Sequence, residues 1–476
     1  MDSWPAGTPS GADLHLDLTT GRARGLGLRA ALEDALRGSV RDGRLAPGTR
    51  LPPSRSLAAD LGIARNTVAE AYAQLTAEGW LTARQGSGTV VAERGAPAPV
   101  ATPGLPQRAP AARYDFTPGR PDLGLFPRTA WLAAARRALA AAPNEALGYS
   151  DPRGRIELRR ALADYLARVR GVRTDPERIV VCTGYTQAVG LLCRTLHERG
   201  VRRAAIEEYG LPQQQHLVET GGLTAVTLPL DASGARTDLL GPTGVGLVTL
   251  TPAHQFPTGV ALHPARRAAA VEWARQSGGL VVEDDYDGEL RYDRQPVGAL
   301  QALDPELVAY VGTASKSLAP GLRLGWLVLP AELVEPVTRQ KYLADGHSGV
   351  FEQLTMAEFI TSGGLDRHVR RCRQHYRRRR DLLLTTLAER APQVRVTGLA
   401  AGLHAVLQLP PGGLSERELL AQAGWLGLSV NAASGCRAAA AGPAEERPPA
   451  LVIGYGTPPE HAFAGAVDAL CRLLTL

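Results

Sequence analysis

The sequence predicts an α/β protein in which a small winged helix-turn-helix precedes a large, helix-covered and mostly parallel sheet. Three observations lead there. Residues 20–93 carry three amphipathic helical stretches followed by two short alternating segments. Residues 94–113 are dominated by Ala and Pro. From 114 to 476, apolar runs alternate with amphipathic helices, and several runs are apolar on both faces, as strands covered by helices on each side must be.

Composition removes several classes. The 476 residues are 44% hydrophobic, enough for at least one large core. No apolar run approaches the roughly 18–20 residues of a membrane span, and Met1-Asp-Ser-Trp-Pro5 has no signal-peptide pattern, so a cytoplasmic protein is expected. Cys182, Cys193, Cys372, Cys436 and Cys471 form no CxxC pair and the histidines show no HExxH spacing, so no metal is expected. A net charge of +6 and a pI near 9.2 point weakly to a polyanionic partner.

In the first segment, Leu28, Leu32, Ala35 and Leu36 recur at helical spacing, and Gly43 follows where that helix should end. Pro47–Ser54 forms a turn delivering Ser54 as the cap of a second helix over 55–61. A third helix from about Arg65 to Glu78 buries Val68, Tyr72 and Leu75 and leaves Arg65, Asn66 and Thr67 at its first turn. Two helices across the turn at Gly62 make a helix-turn-helix, whose second helix offers its N-terminal residues to base edges and phosphates. Residues 80–83 and 89–92 then alternate as two strands of a wing joined by Arg84-Gln-Gly-Ser-Gly88.

Over about 65 residues this segment resembles the winged-helix domain of the GntR regulators. The resemblance runs through Gly43–Arg55, Leu57–Val68, Ala71–Leu81 and Gly86–Gly88. It implies a double-stranded DNA operator as partner, touched by Arg55, Arg65, Asn66, Thr67, Gln85 and Gly86. Arg55, Arg65 and Arg84 would set affinity through phosphates, while Asn66 and Thr67 would read bases. The Pro-rich stretch after it reads as an extended tether of about 3.1 Å per residue, long enough to separate two folded parts.

In the large segment, strands are expected at 178–183, 204–207, 223–230, 246–251, 280–286, 307–312 and 324–329. Ligands of such sheets sit at the carboxyl ends of strands, where the polar clusters of this chain fall. Thr183–Ala188, including Gly184, Tyr185 and Thr186, opens a helix whose free N–H groups can hold a phosphate. Thr251–Gly259, with His254, is a polar loop; Glu283–Arg291 is a carboxylate cluster; and Gly312–Gly325 carries Lys316. The chain has 53 Lys+Arg, of which only Lys316 and Lys341 are lysine. Arg replaces Lys as a surface cation, but only a desolvated Lys forms a Schiff base.

Together these ends describe a pyridoxal phosphate (PLP) site. Lys316 would hold the aldehyde, Asp284 would keep the pyridine nitrogen protonated, and Tyr286, on the same side of an extended strand, would reach the ring hydroxyl. Arg323, Thr313 and Ser315, with the 183–187 turn, would neutralise the phosphate.

The large segment resembles the fold-type I aminotransferases, and the whole order of winged helix, linker and aminotransferase-like domain is similar to the MocR/GabR subfamily of GntR regulators. Phe116–Leu123, Tyr149–Gly154, Thr251–Gly259, Glu283–Arg291 and Gly312–Gly325 carry that resemblance. It implies a head-to-tail homodimer and a small amine, an amino acid or PLP itself as effector. The sequence departs from the subfamily at Glu207–Leu211 and Gly184–Gln187, and Val452 stands where aminotransferases place a substrate-carboxylate arginine; Arg437 is the one candidate substitute. The expectation is a PLP-dependent transcriptional regulator, the alternative a working aminotransferase with an accessory DNA-binding domain. The arginine-rich stretch Arg367–Arg380 reads as a solvated helix face with Val369, Cys372 and Tyr376 turned inward, rather than as a second DNA contact.

Overall fold

The computed structural model describes residues 14, 16, 18, 25–84, 88–93, 112–292, 297–442 and 448–475. The chain divides into two units, Met1–Ala109 and Pro110–Leu476, each with its own core. The expected tether over 94–113 lies outside the described residues except for its last two. No helix among the described residues is long and apolar enough to cross a membrane.

The first unit is built from α1 (Leu28–Arg41), α2 (Ser54–Leu61), α3 (Arg65–Ala77), β1 (Leu81–Arg84) and β2 (Gly88–Val91). Its helices bury Leu32, Leu36, Leu57, Val68 and Leu75 against Leu81 and Val91 of the hairpin. Gly62 ends α2 at φ 63, a left-handed conformation that costs a glycine nothing, and turns the chain directly into α3. Ser54 does not cap α2. Pro53 takes the cap position with its fixed φ of −55, so Ser54 becomes the first helical residue and its side chain makes no cap bond. β1 and β2 pair antiparallel from Leu81↔Val91 to Arg84↔Gly88. The wing tip, with Gln85 and Gly86, lies outside the described residues.

In the second unit the helices of ten residues or more are α4 (Arg128–Ala141), α5 (Ile156–Arg170), α6 (Tyr185–Glu198), α7 (Pro264–Ser277), α8 (Ala331–Asp345), α9 (Val350–Thr361), α10 (Gly364–Arg390), α11 (Glu416–Trp425) and α12 (Phe463–Leu474). The main sheet has seven strands: β3 (Ile179–Cys182), β4 (Arg203–Glu207), β5 (Thr224–Leu228), β6 (Leu247–Leu250), β7 (Leu280–Asp284), β8 (Val308–Thr313) and β9 (Gly325–Val328). Their spatial order is β3-β9-β8-β7-β6-β4-β5, and β9 alone runs against its neighbours. Side chains alternate between the two faces, so Ile179 and Val181 pack with α5 and α9, while Val180 and Cys182 pack with α6 and α8. Both faces are therefore apolar and covered.

All seven strands stand where expected, with two adjustments. The run 223–230 breaks after Leu228, since Pro229 cannot donate to a ladder. β7 stops at Asp284, so Tyr286 enters through a bend after the strand and not along it.

A smaller antiparallel sheet follows, ordered β10-β11-β13-β12, from β10 (Arg395–Thr397), β11 (His404–Gln408), β12 (Asn431–Ala432) and β13 (Ala450–Gly454). It packs on α10 and α12 through Tyr376, Leu383, Leu407, Ile453 and Phe463. The arginine-rich stretch lies within α10, with Val369, Cys372 and Tyr376 buried. One of its arginines is also buried: Arg379 donates to the carbonyls of Tyr455 and Gly456 and pairs with Glu460 at 3.0 Å and Asp122 at 3.2 Å.

Candidate functional site

A cavity of about 270 Å³ opens at the carboxyl edge of the main sheet. Glu207, Thr251, Asp284 and Thr313 reach it from the ends of β4, β6, β7 and β8. Gly184, Tyr185 and Thr186 reach it from the start of α6, and Ser315, Lys316 and Arg323 from the loop between β8 and β9. Tyr286 completes the group. His254, expected at the cofactor, and Arg437, the candidate for an effector carboxylate, are not among the residues that line it.

Lys316 Nζ donates to the carbonyl of Gly119 at 2.6 Å. Burial pulls its ammonium below the usual lysine range, with Asp284 and Asp287 pulling the other way. Lys341, the other lysine, is fully buried on α8 and paired with Asp345 at 2.6 Å, so it is a structural cation.

Asp284 is 7% exposed, and its carboxylate makes no hydrogen bond among the described residues. Burial, then the neighbouring charge of Asp285, holds its carboxyl well above the usual range. A buried carboxyl facing a cavity without a partner is matched by a ligand that brings a positive N–H.

Arg323 is likewise without a side-chain partner among the described residues, and at φ 51 it is the only described non-glycine residue in the left-handed region. Holding an arginine there costs about 1–3 kcal/mol, a strain that clusters at binding sites. Gly184 lies opposite at φ 112, a backbone conformation that L side chains rarely adopt, although an added Cβ would make only ordinary contacts at 3.8 Å from Arg323 Nη1 and 4.0 Å from Thr313 Oγ1. Gly325 must be glycine as well, because its Cβ would come within 2.6 Å of the Gly184 Cα. Thr313 and Ser315 orient each other, Oγ1 to Oγ at 2.9 Å and Ser315 N to Thr313 Oγ1 at 3.1 Å. This cradle combines a free guanidinium, two hydroxyls and the first N–H groups of α6, which is the donor set a phosphate requires. The residues present therefore fit PLP at both of its charged ends.

Three features were not singled out from sequence. Gly119 accepts the lysine, and only its position in Phe116–Leu123 marks it. Glu207 accepts from Thr251 Oγ1 at 2.5 Å and Thr251 N at 3.2 Å. Asp287 lies behind Tyr286, bonded to the fully buried His254. Arg437 is held by Glu208 at 2.9 Å, and Val452 sits in an apolar cluster with Phe256 and Cys436.

Burial pushes Glu207 up to about 7, and burial with the Asp285 charge pushes Glu283 up to about 7. Both folded values exceed the unfolded one. Their protonated forms therefore stabilise the fold below about pH 4.5, and that contribution is lost as pH rises through about 7. Thermal stability is expected to fall between pH 5 and pH 8, and Glu207→Gln to flatten that slope in a melting series. An unchanged slope would contradict the protonation of Glu207.

In the first unit, Arg55, Arg65 and Asn66 are exposed and Thr67 is half-buried, at the start of α2 and α3. Arg55 and Arg65 have no ion-pair partner among the described residues. Arg50 joins them unexpectedly. It is exposed, forms an isolated bridge to Val90, and its guanidinium lies over Gly88, where a Cβ would stand 3.2 Å from its Nε.

Fold and cavity place the second unit among the class I and II aminotransferases: residues 116–428 match the family described as "Aminotransferase class I and II", whose cofactor is PLP, and residues 28–91 match "Bacterial regulatory proteins, gntR family", a DNA-binding type. The chain belongs to the MocR-type subfamily of GntR transcriptional regulators, in which a helix-turn-helix is fused to an aminotransferase-like domain. It is 34% identical over 379 residues to the HTH-type pyridoxine biosynthesis transcriptional regulator PdxR of Corynebacterium glutamicum, covering 79% of this chain and 82% of that one. To the probable rhizopine catabolism regulatory protein MocR of Rhizobium meliloti it is 32% identical, covering 74% and 76%. The kynurenine aminotransferase of Pyrococcus horikoshii, 24% identical, shares the fold with a TM-score of 0.68 over 77% of this chain and 91% of that one.

Proposed function

We propose that this chain regulates transcription by sensing PLP, or an amine that reacts with it, at Lys316. The observation that carries this is the convergence of the Lys316 amine, the unpartnered Asp284 carboxyl and the free Arg323 guanidinium on one cavity. When bound, PLP supplies an aldehyde that condenses reversibly with primary amines. Lys316 presents that amine, and burial favours its neutral, nucleophilic form. Asp284 would take the ring nitrogen, Tyr286 the ring hydroxyl, and Arg323, Thr313, Ser315 and the Gly184–Thr186 turn the phosphate. Without an aldehyde to hold, Lys316 Nζ would donate to the Gly119 carbonyl, the bond it makes here at 2.6 Å. The lysine thus has two alternative partners, and a ligand that favours one shifts the population between them.

The apolar surroundings of Val452 and the pairing of Arg437 with Glu208 favour PLP itself, or an amine lacking a carboxylate, over an amino acid as effector. The role of PdxR as a regulator of pyridoxine biosynthesis agrees with PLP. A homodimer is supported by exposed Leu132, Leu139, Leu147 and Tyr149 near the packed α4 and α9, an apolar surface a second copy would cover.

The test is the affinity of the full chain for its own upstream DNA, with PLP and with a panel of amines and amino acids. A change in affinity with PLP or one amine is expected. Affinity indifferent to all of them removes the sensing reading, and sustained keto-acid-dependent turnover would favour the enzyme reading instead. On the DNA side, Arg55→Ala and Arg65→Ala are each expected to reduce the slope of log affinity against log salt by about 1, across all sequences. Asn66→Ala should instead cost about 1–3 kcal/mol on the operator alone and relax its sequence preference. Equal loss on operator and random DNA would remove Asn66 from base reading.

A further inference from the structure

Behind Tyr286 lies a buried polar group that the site as described does not use. His254 is 2% exposed and Asp287 4% exposed. His254 Nδ1 lies 2.8 Å from Asp287 Oδ2 and 3.2 Å from the Tyr286 hydroxyl, and the His254 and Tyr286 rings stack with centroids 6.2 Å apart. On the far side, the ring of His404 of β11 packs tilted against that of His254, with centroids 4.9 Å apart, and donates from Nε2 to the Pro257 carbonyl at 3.1 Å.

Hydrogen-bond inventory restricts how these groups share protons. An ionised Asp287 only accepts, so Nδ1 of His254 must carry the proton between them. A protonated Nδ1 has no lone pair left to receive from Tyr286. The phenol oxygen is then an acceptor towards His254, and its own proton is left to the Asp287 carboxylate or to a ligand in the cavity. Asp284, Asp287 and Glu207 are the acidic groups that face the phenol, and burial followed by the Asp287 charge holds it in its neutral form well above the usual range. His404 adds no competing charge, since burial and the neighbouring His254 hold its ring down to about 3.

We propose that His254 and Asp287 are positioning residues that keep Tyr286 a neutral phenol with its hydroxyl available to donate into the cavity, and so set the proton affinity of the cofactor bound beside it. This rests on the reading that PLP occupies the cavity. Neither residue touches the ligand; both act through Tyr286. A donor to the ring oxygen withdraws electron density from it, so losing that donor raises the pH at which the bound cofactor gives up its proton.

The experiment is a pH titration of the visible absorbance of PLP bound to the full chain, in a double-mutant cycle with Tyr286→Phe. Asp287→Asn keeps the size of a side chain that must fit against Gly402, where a Cβ would come within 2.2 Å of Asp287 Oδ2. His254→Leu removes the donor, whereas His254→Asn places an amide N–H near the position of Nδ1. His254→Leu is expected to raise the midpoint in the direction of Tyr286→Phe, by about one pH unit, with His254→Asn near wild type. Asp287→Asn also removes a negative charge that raises the proton affinity of the site directly, so its effect through Tyr286 is read as the difference between its shifts in the wild-type and Tyr286→Phe backgrounds. In the Tyr286→Phe background His254→Leu should add nothing. A midpoint unmoved by His254→Leu, or the same shift from His254→Leu once Tyr286 is Phe, overturns the proposal. Failure of the wild-type chain to acquire a PLP band at all would instead remove the underlying reading of the cavity.

Discussion

Lys316→Ala is expected to abolish covalent retention of PLP and to lower its affinity on the order of a hundredfold, about 2.7 kcal/mol. The site would still attract the cofactor, because Arg323, the α6 N-terminus and Asp284 are untouched by the substitution. Borohydride reduction followed by peptide mapping gives a clean readout, since the chain has one other lysine, and Lys341 is buried in its pair with Asp345. Wild type should carry the label on the peptide holding Lys316 and the variant on none; equal labelling elsewhere would sink the assignment. Lys316→Arg separates charge from chemistry. A guanidinium can still donate to the Gly119 carbonyl but cannot condense with an aldehyde, so this variant should bind DNA as the lysine-released state does and ignore added PLP or amines. A PLP response retained by Lys316→Ala or Lys316→Arg would mean that the signal does not pass through the lysine.

Why so much of this architecture could be read from sequence follows from where the information is stored. Several of the seven strands of the main sheet are apolar on both faces and short, so composition marks them, and Lys316 stands out because arginine has replaced nearly every other lysine. The α2–Gly62–α3 turn was equally plain, because a left-handed residue between two amphipathic runs has few alternatives. What sequence left dark depends on contacts between distant segments. Gly119 lies 197 residues before the lysine it accepts from. His254 and Asp287 belong to different loops, and nothing in either motif says that they meet behind Tyr286. Arg379 looked like one more solvated arginine in a run of them, yet Asp122 and Glu460, from two remote segments, bury it. Local rules also failed where two residues compete for one role: Pro53 displaced Ser54 from the cap.

The largest stability effect is expected beneath the cavity. Arg170, at the end of α5, donates Nε to Asp285 Oδ2 at 2.6 Å and Nη2 to Oδ1 at 3.2 Å, and Tyr310 donates to the same carboxylate at 2.8 Å. Both charged side chains are almost fully buried, at 4% and 1% exposure. Such a pair adds little net stability over an apolar replacement, but removing one partner strands the other charge out of water, at a cost of about 3–5 kcal/mol. Arg170→Met should therefore destabilise strongly, while Arg170→Met with Asp285→Leu should recover much of the loss. Gly288→Ala should also destabilise, because the added Cβ would fall 2.0 Å from Asp285 Oδ1 and 2.6 Å from Arg170 Nη2. Asp285 adjoins Asp284 and already raises it, so an unneutralised Asp285 makes Asp284 harder still to ionise. Arg170→Met is thus expected to weaken PLP binding as well as lower the melting temperature, whereas the double variant, lacking the Asp285 charge, should bind PLP at least as tightly as wild type. Melting curves and equilibrium dialysis on the two variants separate these effects. If the single variant melts within a degree of wild type, the buried pair does not carry the energetic weight its geometry assigns.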